Sequence, residues 1–570
     1  MGERPALALI SPAASARMAV AEALTNLAAA DLAGGLSRVC CSANWMAATS
    51  HPGEGAALYE AVAAVATDLC PKLGISIPVG KDSMSMKMRW TDESNQHEVT
   101  APLSLIVSAF GPVQNIHRIW TPTLHRPKDV GETTLFLVDL AKNRKALGGS
   151  AVANVFNEIG NAAPDVHDAK LLKSFFDALG QIHGIVLAYH DRSDGGLFTT
   201  LVEMMFADRC GLEITLDEIC NTVSLDRKSV IESLFNEELG AVFQVREQDQ
   251  MGFCRAFTTS GFPPDLIKKI GRVSNRQELT IDHKSNPVYR NSRATLQQRW
   301  ASTSHQIQRL RDNPSCADCE HAAILDSSDP GLSYKLSFDP RDRIVPFPAS
   351  PPRVAILREQ GVNGHSEMAF AFMNAGFTAI DVHMTDLLAG RVHLASFAGL
   401  AACGGFSYGD VLGAGRGWAE SVLRHPSLRK QFDGFFARKD TSALGVCNGC
   451  QFLTRQRRLI PGADHWPIFT LNESEQYEAR VCQVELLDLG PPCVFLDGMA
   501  GSRLPIATAH AEGRARCQSP HSAGTLQDAG KVAVRYVDNY GQPTERYPAN
   551  PNGSPLGIAG VRSKDGRVWR

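Results

Sequence analysis

Leu444-Gly-Val-Cys-Asn-Gly-Cys-Gln-Phe-Leu453 sets one cysteine, Cys447, between a short apolar run and a segment that continues as a helix. A strand that turns sharply into a helix with a reactive side chain at the corner is a nucleophile elbow. Gly445 and Gly449 are the small residues that permit so tight a turn, and the amides that open the helix favour a thiolate at Cys447. Cys447 is the candidate nucleophile of the chain.

Upstream, Val354–Leu357 is an all-apolar strand, His365–Ala375 a helix, Thr378–Val382 a strand, and Gly399–Cys403 another that runs into glycine-rich sequence. Strands alternating with helices predict a doubly wound parallel sheet, with ligands at the carboxyl ends of its strands, where Cys447 falls. The turn Gly404-Gly-Phe-Ser-Tyr-Gly-Asp410 closes one of those strands. Alone it is a glycine turn; beside Cys447 its amides near Phe406, with that of Asn448, form an oxyanion hole.

Two further patterns compete for these residues. Cys447-x-x-Cys450 and Cys316-x-x-Cys319 followed by His321 spell a zinc or redox site, but the two halves lie more than a hundred residues apart, and Cys450 is expected to face the helix-sheet core. His510-Ala-Glu-Gly-Arg514 puts a histidine and a glutamate two residues apart, on one face of a strand, as a base and its orienting carboxylate require.

With 570 residues the chain is too long for one core and predicts about three to four units. Its 57 basic and 60 acidic side chains nearly cancel, so no global field recruits nucleic acid or an anionic membrane. Fourteen cysteines, among them Cys40-Cys41, Cys254 and Cys403, read as reduced thiols of a cytoplasmic protein. Arg4, Ala6–Ile10 and Ala14-Ser-Ala16 imitate a signal peptide, but the apolar stretch is broken by Ser11-Pro12 and follows Glu3. No run approaches the ~20 apolar residues of a membrane span.

The first part of the chain predicts an α+β unit: a strand from Leu7, an Ala-rich helix Ser15–Ala30, a helix Gly55–Leu69, and strands Ile75–Val79 and Leu103–Phe110. Thr134–Leu140 opens a second unit, with a helix Asp168–Leu179, strand Ile185–Tyr189, a helix after Asp194-Gly-Gly196, and strand Gly240–Val245. Polar sequence from Ser292 to Leu310 predicts a helix leading into a linker that ends at Pro351-Pro352. On the Ala-rich helix, Glu22 and Asn26 stand one turn apart, a spacing that lets two oxygens share a hard cation and that equally describes a solvated face. Leu187-Ala-Tyr-His-Asp-Arg-Ser-Asp-Gly-Gly196 ends a strand in acids and glycines suited to Mg²⁺ and phosphate. Val79-Gly-Lys-Asp-Ser-Met-Ser-Met86 is a strand-end loop with a lysine but without Walker spacing.

Glu22-Ala-Leu-Thr-Asn26, Ser42-Ala-Asn-Trp-Met46, Pro78-Val-Gly-Lys-Asp-Ser-Met-Ser-Met86, Tyr189-His-Asp-Arg-Ser-Asp-Gly-Gly196, Phe235-Asn-Glu-Glu-Leu-Gly-Ala-Val242 and the Cys447 elbow together resemble the large, glutaminase-fused form of phosphoribosylformylglycinamidine synthase, over essentially the whole chain. The resemblance implies an aminoimidazole-ribonucleotide-synthetase-like α+β half, 1–125 and 126–290, a linker 291–350, and an α/β class I glutamine amidotransferase domain, 351–570. It implies a glutamine-dependent, ATP-driven ligase that amidates formylglycinamide ribonucleotide in purine biosynthesis, with ATP or ADP and Mg²⁺ as cofactors. Carried over, Cys447 is the glutaminase nucleophile, Glu22, Asn26 and Asp191 resemble Mg²⁺ ligands, and Ser193 a nucleotide contact. In that family the triad histidine and glutamate come from a Pro-His-Pro-Glu segment beyond a final strand. Here the strand begins at Gly566-Arg-Val568 and the sequence stops at Arg570, so His510 is expected beside the glutamine pocket and not as the base. A Mg²⁺ ligand is expected upstream of Met1, which looks like an internal methionine, and a missing synthetase half is a partner if it is supplied in trans. The chain on its own is expected to turn over glutamine near background. Two other readings stand beside this one: a nucleotide-binding or assembly module without turnover, and a cysteine hydrolase of unrelated specificity.

Overall fold

The computed structural model describes residues 1–93, 95–220, 226–342, 350–488 and 493–570. It divides into two compact units, Met1–Trp300 and Ala301–Arg570.

In the first unit the helix Pro12–Leu27 is capped by Ser11, whose hydroxyl accepts from the Ala14 amide, and Pro12 stands in its first turn, where no amide hydrogen is missed. Its alanines bring it close to a four-stranded sheet ordered Gly2–Glu3, Ser104–Phe110, Cys40–Met46, Ser76–Ser83. The strand expected at Leu7 is instead a short helix, Pro5–Ala8, because Pro5 presets the first-turn backbone and Pro12 begins the next helix.

Among the described residues a second sheet has seven strands, and its strand Thr133–Asp139 is buried at every position. The alternation of a strand explains how one stretch serves two cores. Phe136 and Val138 pack with Phe175 and Phe253 on one side, while Leu135 and Leu137 pack with Leu197 and Leu201 on the other. His190 and Asp191 end the edge strand Val186–Asp191 of this sheet, just before the helix Gly196–Asp208.

In the second unit five strands, all parallel, run in the order Thr378–His383, Arg353–Arg358, Gly399–Ala402, Ser442–Gly445, Val568–Trp569. This is the doubly wound sheet that the sequence predicts, with Val354–Leu357 fully buried on an interior strand. Gly399–Ala402 and Ser442–Gly445 are neighbours in register, so the glycine loop and the Cys447 elbow leave the sheet side by side. An antiparallel sheet adds Arg503–His510, Glu478–Leu486, Val532–Val537 and Ile558–Val561. Part of the expected linker is ordered as two helices, Arg293–Arg311 and Pro314–Ala323; its stretch 343–349 lies outside the described residues. No helix among the described residues is long and apolar enough to cross a membrane.

Candidate active site and nucleotide site

Cys447 lies between the strand Ser442–Gly445 and the helix Asn448–Arg455, with φ 50° and ψ −115°, a backbone conformation that side-chain-bearing residues rarely adopt. The turn's strain is therefore carried by the nucleophile itself. The two glycines that the sequence singles out act through close approach and not through positive φ: a Cβ on Gly449 would lie 1.9 Å from the Ala402 carbonyl oxygen, and one on Gly445 2.6 Å from that of Gly449. Without side chains at these positions the helix start seats directly on the sheet.

The loop from Gly404 is clipped to that helix by one side chain. Asn448 donates from Nδ2 to Asp410 Oδ1 at 2.8 Å and accepts at Oδ1 from the Ser407 amide at 3.3 Å. Of the amides near Phe406 expected as oxyanion donors, that of Phe406 itself is engaged with the Gly361 carbonyl at 2.9 Å. The amides of Asn448 and Gly405 are the ones that face the sulfur. Gly405 holds this place because a Cβ there would lie 2.5 Å from Val362 Cα.

Burial pushes the Cys447 thiol up from its ordinary value, and the two amides only partly oppose it. The amide that opens the helix favours the thiolate, as the sequence predicts, but burial is the larger effect. Sγ donates a long contact, 3.7 Å, to the Ala509 carbonyl, and among the described residues no histidine is hydrogen-bonded to it.

His510 and Glu512 do not share a strand face. The strand Arg503–His510 ends at the histidine, and Ala511–Gly513 turn away. His510 Nε2 pairs with Asn552 Oδ1 at 2.8 Å, and burial lowers its pKa, whereas Glu512 Oε1 accepts from the Ala414 amide at 3.0 Å. Gln451, one turn into the helix, donates to the Glu512 carbonyl at 2.5 Å, and its own Oε1 is buried without a partner among the described residues. The two CxxC pairs do not meet as ligands: every cysteine is a free thiol, and among the described residues no group of three or more His, Cys, Asp or Glu is placed to hold a metal.

In the first unit the four residues singled out for the nucleotide site come from two segments, and a fifth that the sequence does not flag, Arg4, sits against Glu22 and in the field of Asp191. Glu22 Oε1 accepts from Ser193 Oγ at 2.6 Å and lies 3.4 Å from Arg4 Nη2. Arg4 is buried and also reaches Asp194 and Glu237, both at 2.8 Å; its guanidinium is held charged against burial by these carboxylates and by Asp191. Asp191 accepts from Thr25 Oγ1 at 3.0 Å and lies 3.4 Å from His190 Nδ1. Burial works against a charged His190, yet Asp191 and Glu203 raise it to about 9. Asn26 is held by its amide nitrogen, which donates to the carbonyls of Met1 and Glu22. Arg4 escapes a reading by motif because it acts as counter-charge to acids distant in sequence, while Thr25 and His190 lie inside the quoted motifs without any local sign of their partners.

The donor set of Glu22, Asp191, Asn26 and Ser193 is all oxygen and carries two buried carboxylates, which is the chemistry of a hard divalent cation. Arg4 is the cation that compensates Glu22 in this structure.

Comparison with known proteins follows the same division. Residues 351–570 match the family of CobB/CobQ-like glutamine amidotransferase domains. Residues 1–112 match the FGAR-AT PurM_N-like domain, and 134–284 the AIR synthase related protein, C-terminal domain. Phosphoribosylformylglycinamidine synthase of Saccharomyces cerevisiae is 52% identical over 586 residues, covering 100% of this chain and 42% of that protein. The Schizosaccharomyces pombe protein of that name is 50% identical over 575 residues, with 100% and 43% covered. A solved chain described as T. maritima PurL complexed with FGAR superposes with a TM-score of 0.37 at 13% identity, over 52% of this chain and 44% of that one. The chain thus spans about two fifths of the length of the curated relatives it matches. Along its whole length, synthetase-type domains first and amidotransferase domain after them, it is similar to the phosphoribosylformylglycinamidine synthases.

Proposed function

We propose that the chain carries a nucleotide-binding synthetase half and a glutamine-binding amidotransferase portion of a cytoplasmic ligase that amidates formylglycinamide ribonucleotide at the expense of ATP. The observation that carries the reading is Cys447, held at φ 50° at a strand-to-helix turn with the Gly405 and Asn448 amides aimed at its sulfur. In this reading the Cys447 sulfur attacks the glutamine side-chain amide carbon. The carbonyl oxygen becomes negative in the tetrahedral state and is received by those two amides, which are already in place. The thiol's proton passes to the amide nitrogen, the C–N bond breaks as ammonia leaves, and Cys447 carries the γ-glutamyl group until water cleaves the thioester, releasing glutamate and restoring the thiol. Asn448 fixes the loop that presents the Gly405 amide, and Asp410 and Ser407 fix Asn448.

In the synthetase half, Glu22 and Asp191 are the residues that would hold Mg²⁺, with Asn26 and Ser193 beside them. The nucleotide, when bound with its metal, supplies the phosphoryl chemistry or the structural anion of this half. Thr25 orients Asp191, and Arg4 orients Glu22. The partner proposed is a second synthetase half, covering the edge strand Ser76–Ser83 and the exposed Met88, Trp90 and Val99.

The test is covalent capture by a diazoketone analogue of glutamine. Trypsin releases Asp440–Arg455, a peptide that contains Cys447 and Cys450 and no other cysteine. The analogue is expected on that peptide in the parent chain and to be absent from it in Cys447→Ala. Label spread over the surface thiols, or unchanged in Cys447→Ala, overturns the amidotransferase reading and favours a nucleotide-binding module without glutamine chemistry.

A further inference from the structure

Cys450 is not used by the chemistry above, yet it is placed in a particular way. Cys447 stands at the start of the helix Asn448–Arg455 and Cys450 one turn inside it, with the Cys450 amide donating to the Cys447 carbonyl at 2.9 Å. A turn closed by such a bond keeps the two Cα atoms within about 7 Å. That lies at the span a disulfide needs, about 4.4 to 6.8 Å. The sulfurs sense each other, since charge on Cys450 disfavours charge on Cys447. Both residues are half-buried, unlike the fully enclosed Cys403 on the neighbouring strand.

The second observation is the group behind Cys450. Arg570 Nη1 donates to Cys450 Sγ at 2.9 Å, and the guanidinium lies over the Phe469 ring, 3.6 Å from its centroid. It is buried, and its Nε and Nη2 have no hydrogen-bond partner among the described residues. A buried guanidinium without a carboxylate beside it is costly unless it faces negative charge, and the group it faces here is a sulfur. A second thiol one helical turn from the nucleophile, with a cation at its sulfur, is placed for exchange with it.

We infer that Cys447 and Cys450 form a reversible oxidation site, in which a hydroperoxide converts the nucleophile and its neighbour into an intramolecular disulfide. The Cys447 thiolate attacks the O–O bond of hydrogen peroxide, an S–O bond forms, and hydroxide leaves and takes a proton to become water. The Cys450 sulfur, beside Arg570, gives up its proton and attacks the sulfenic sulfur. The S–O bond breaks, the S–S bond forms, and the departing hydroxide takes the second proton. Two thiols lose two electrons and two protons, and one peroxide becomes two waters. A dithiol returns the two electrons, so the nucleophile is protected from the irreversible steps beyond sulfenic acid.

This inference goes beyond the amidotransferase reading and does not need it, because its readout is mass and not turnover. The full chain is treated with hydrogen peroxide, alkylated, and digested, and the Asp440–Arg455 peptide is weighed. The expected result is a peptide two hydrogens lighter with neither cysteine alkylated, restored to two alkylated cysteines by dithiothreitol. In Cys450→Ser the same treatment is expected to leave sulfinic acid on Cys447, which dithiothreitol does not reverse. Sulfenic or sulfinic acid on Cys447 of the parent chain with Cys450 still alkylated overturns the inference, as does a disulfide from either cysteine to any other. Loss of glutamine-analogue capture with the disulfide still forming would count against the amidotransferase reading alone.

Discussion

The elbow of the second unit and the acid cluster of the first are built by opposite means. Around Cys447 the donors are backbone amides and the shaping residues are glycines, so the site is made by one turn and the loop next to it. Around Glu22 and Asp191 the working groups are side chains from Arg4, Thr25, Ser193, Asp194 and Glu237, brought together by the packing of a helix against two strand ends. A backbone site fails when its chain path is blocked. A side-chain site fails when one charge is left without its partner.

The largest effect is expected in the side-chain site. Arg4→Met removes the cation from between Glu22 and Glu237, which are buried, and is expected to cost about 3–5 kcal/mol in urea unfolding of the synthetase-type unit. Arg4→Lys should recover part of that. A loss under about 1 kcal/mol would place Arg4 with ordinary surface pairs and dissolve the contrast.

Next comes the backbone site. Gly449→Ala sets a Cβ against the Ala402 carbonyl, and backbone cannot step aside as a side chain does. About 1–3 kcal/mol of stability should be lost from the amidotransferase unit, with nucleotide binding by the other unit unchanged. Unchanged stability would show that the strand and helix do not approach as closely as described.

Function in the acid cluster is sharper still. Equilibrium dialysis with ADP and Mg²⁺ should show at least about tenfold weaker binding for Glu22→Ala and Asp191→Ala, or about 1.4 kcal/mol. Equal binding by both variants would remove these residues from the nucleotide site. The smallest effect is a pH profile. The thiolate is the nucleophile, and burial raises the Cys447 thiol, so its alkylation by iodoacetamide should still be climbing past pH ~9, where an unperturbed thiol levels off. A plateau near neutrality would mean that the amides outweigh burial.

The same contrast decides what could be read beforehand. The elbow, the glycine loop and the parallel sheet are legible because each is contiguous and glycine or apolar periodicity marks it. The choice of Gly405 over Phe406 as the amide facing the sulfur was not, because it depends on Gly361 capturing the Phe406 amide from another turn. His510 and Glu512 looked like strand neighbours because strand ends have no sharp mark in composition, and the strand stops between them. In the first unit Glu22, Ser193 and Asp191 were reached by resemblance. Arg4 was not, since nothing local tells a buried guanidinium from a surface one. Asn26 shares the spacing of a ligand and is held by its nitrogen to backbone carbonyls.

The account rests on Cys447 lying in a cradle shaped for glutamine, and competition tests that most directly. The rate at which the diazoketone analogue labels the Asp440–Arg455 peptide is measured alone, with L-glutamine, and with L-glutamate at the same concentration. Labelling slowed by glutamine and not by glutamate is the predicted result; equal rates in all three would contradict the account.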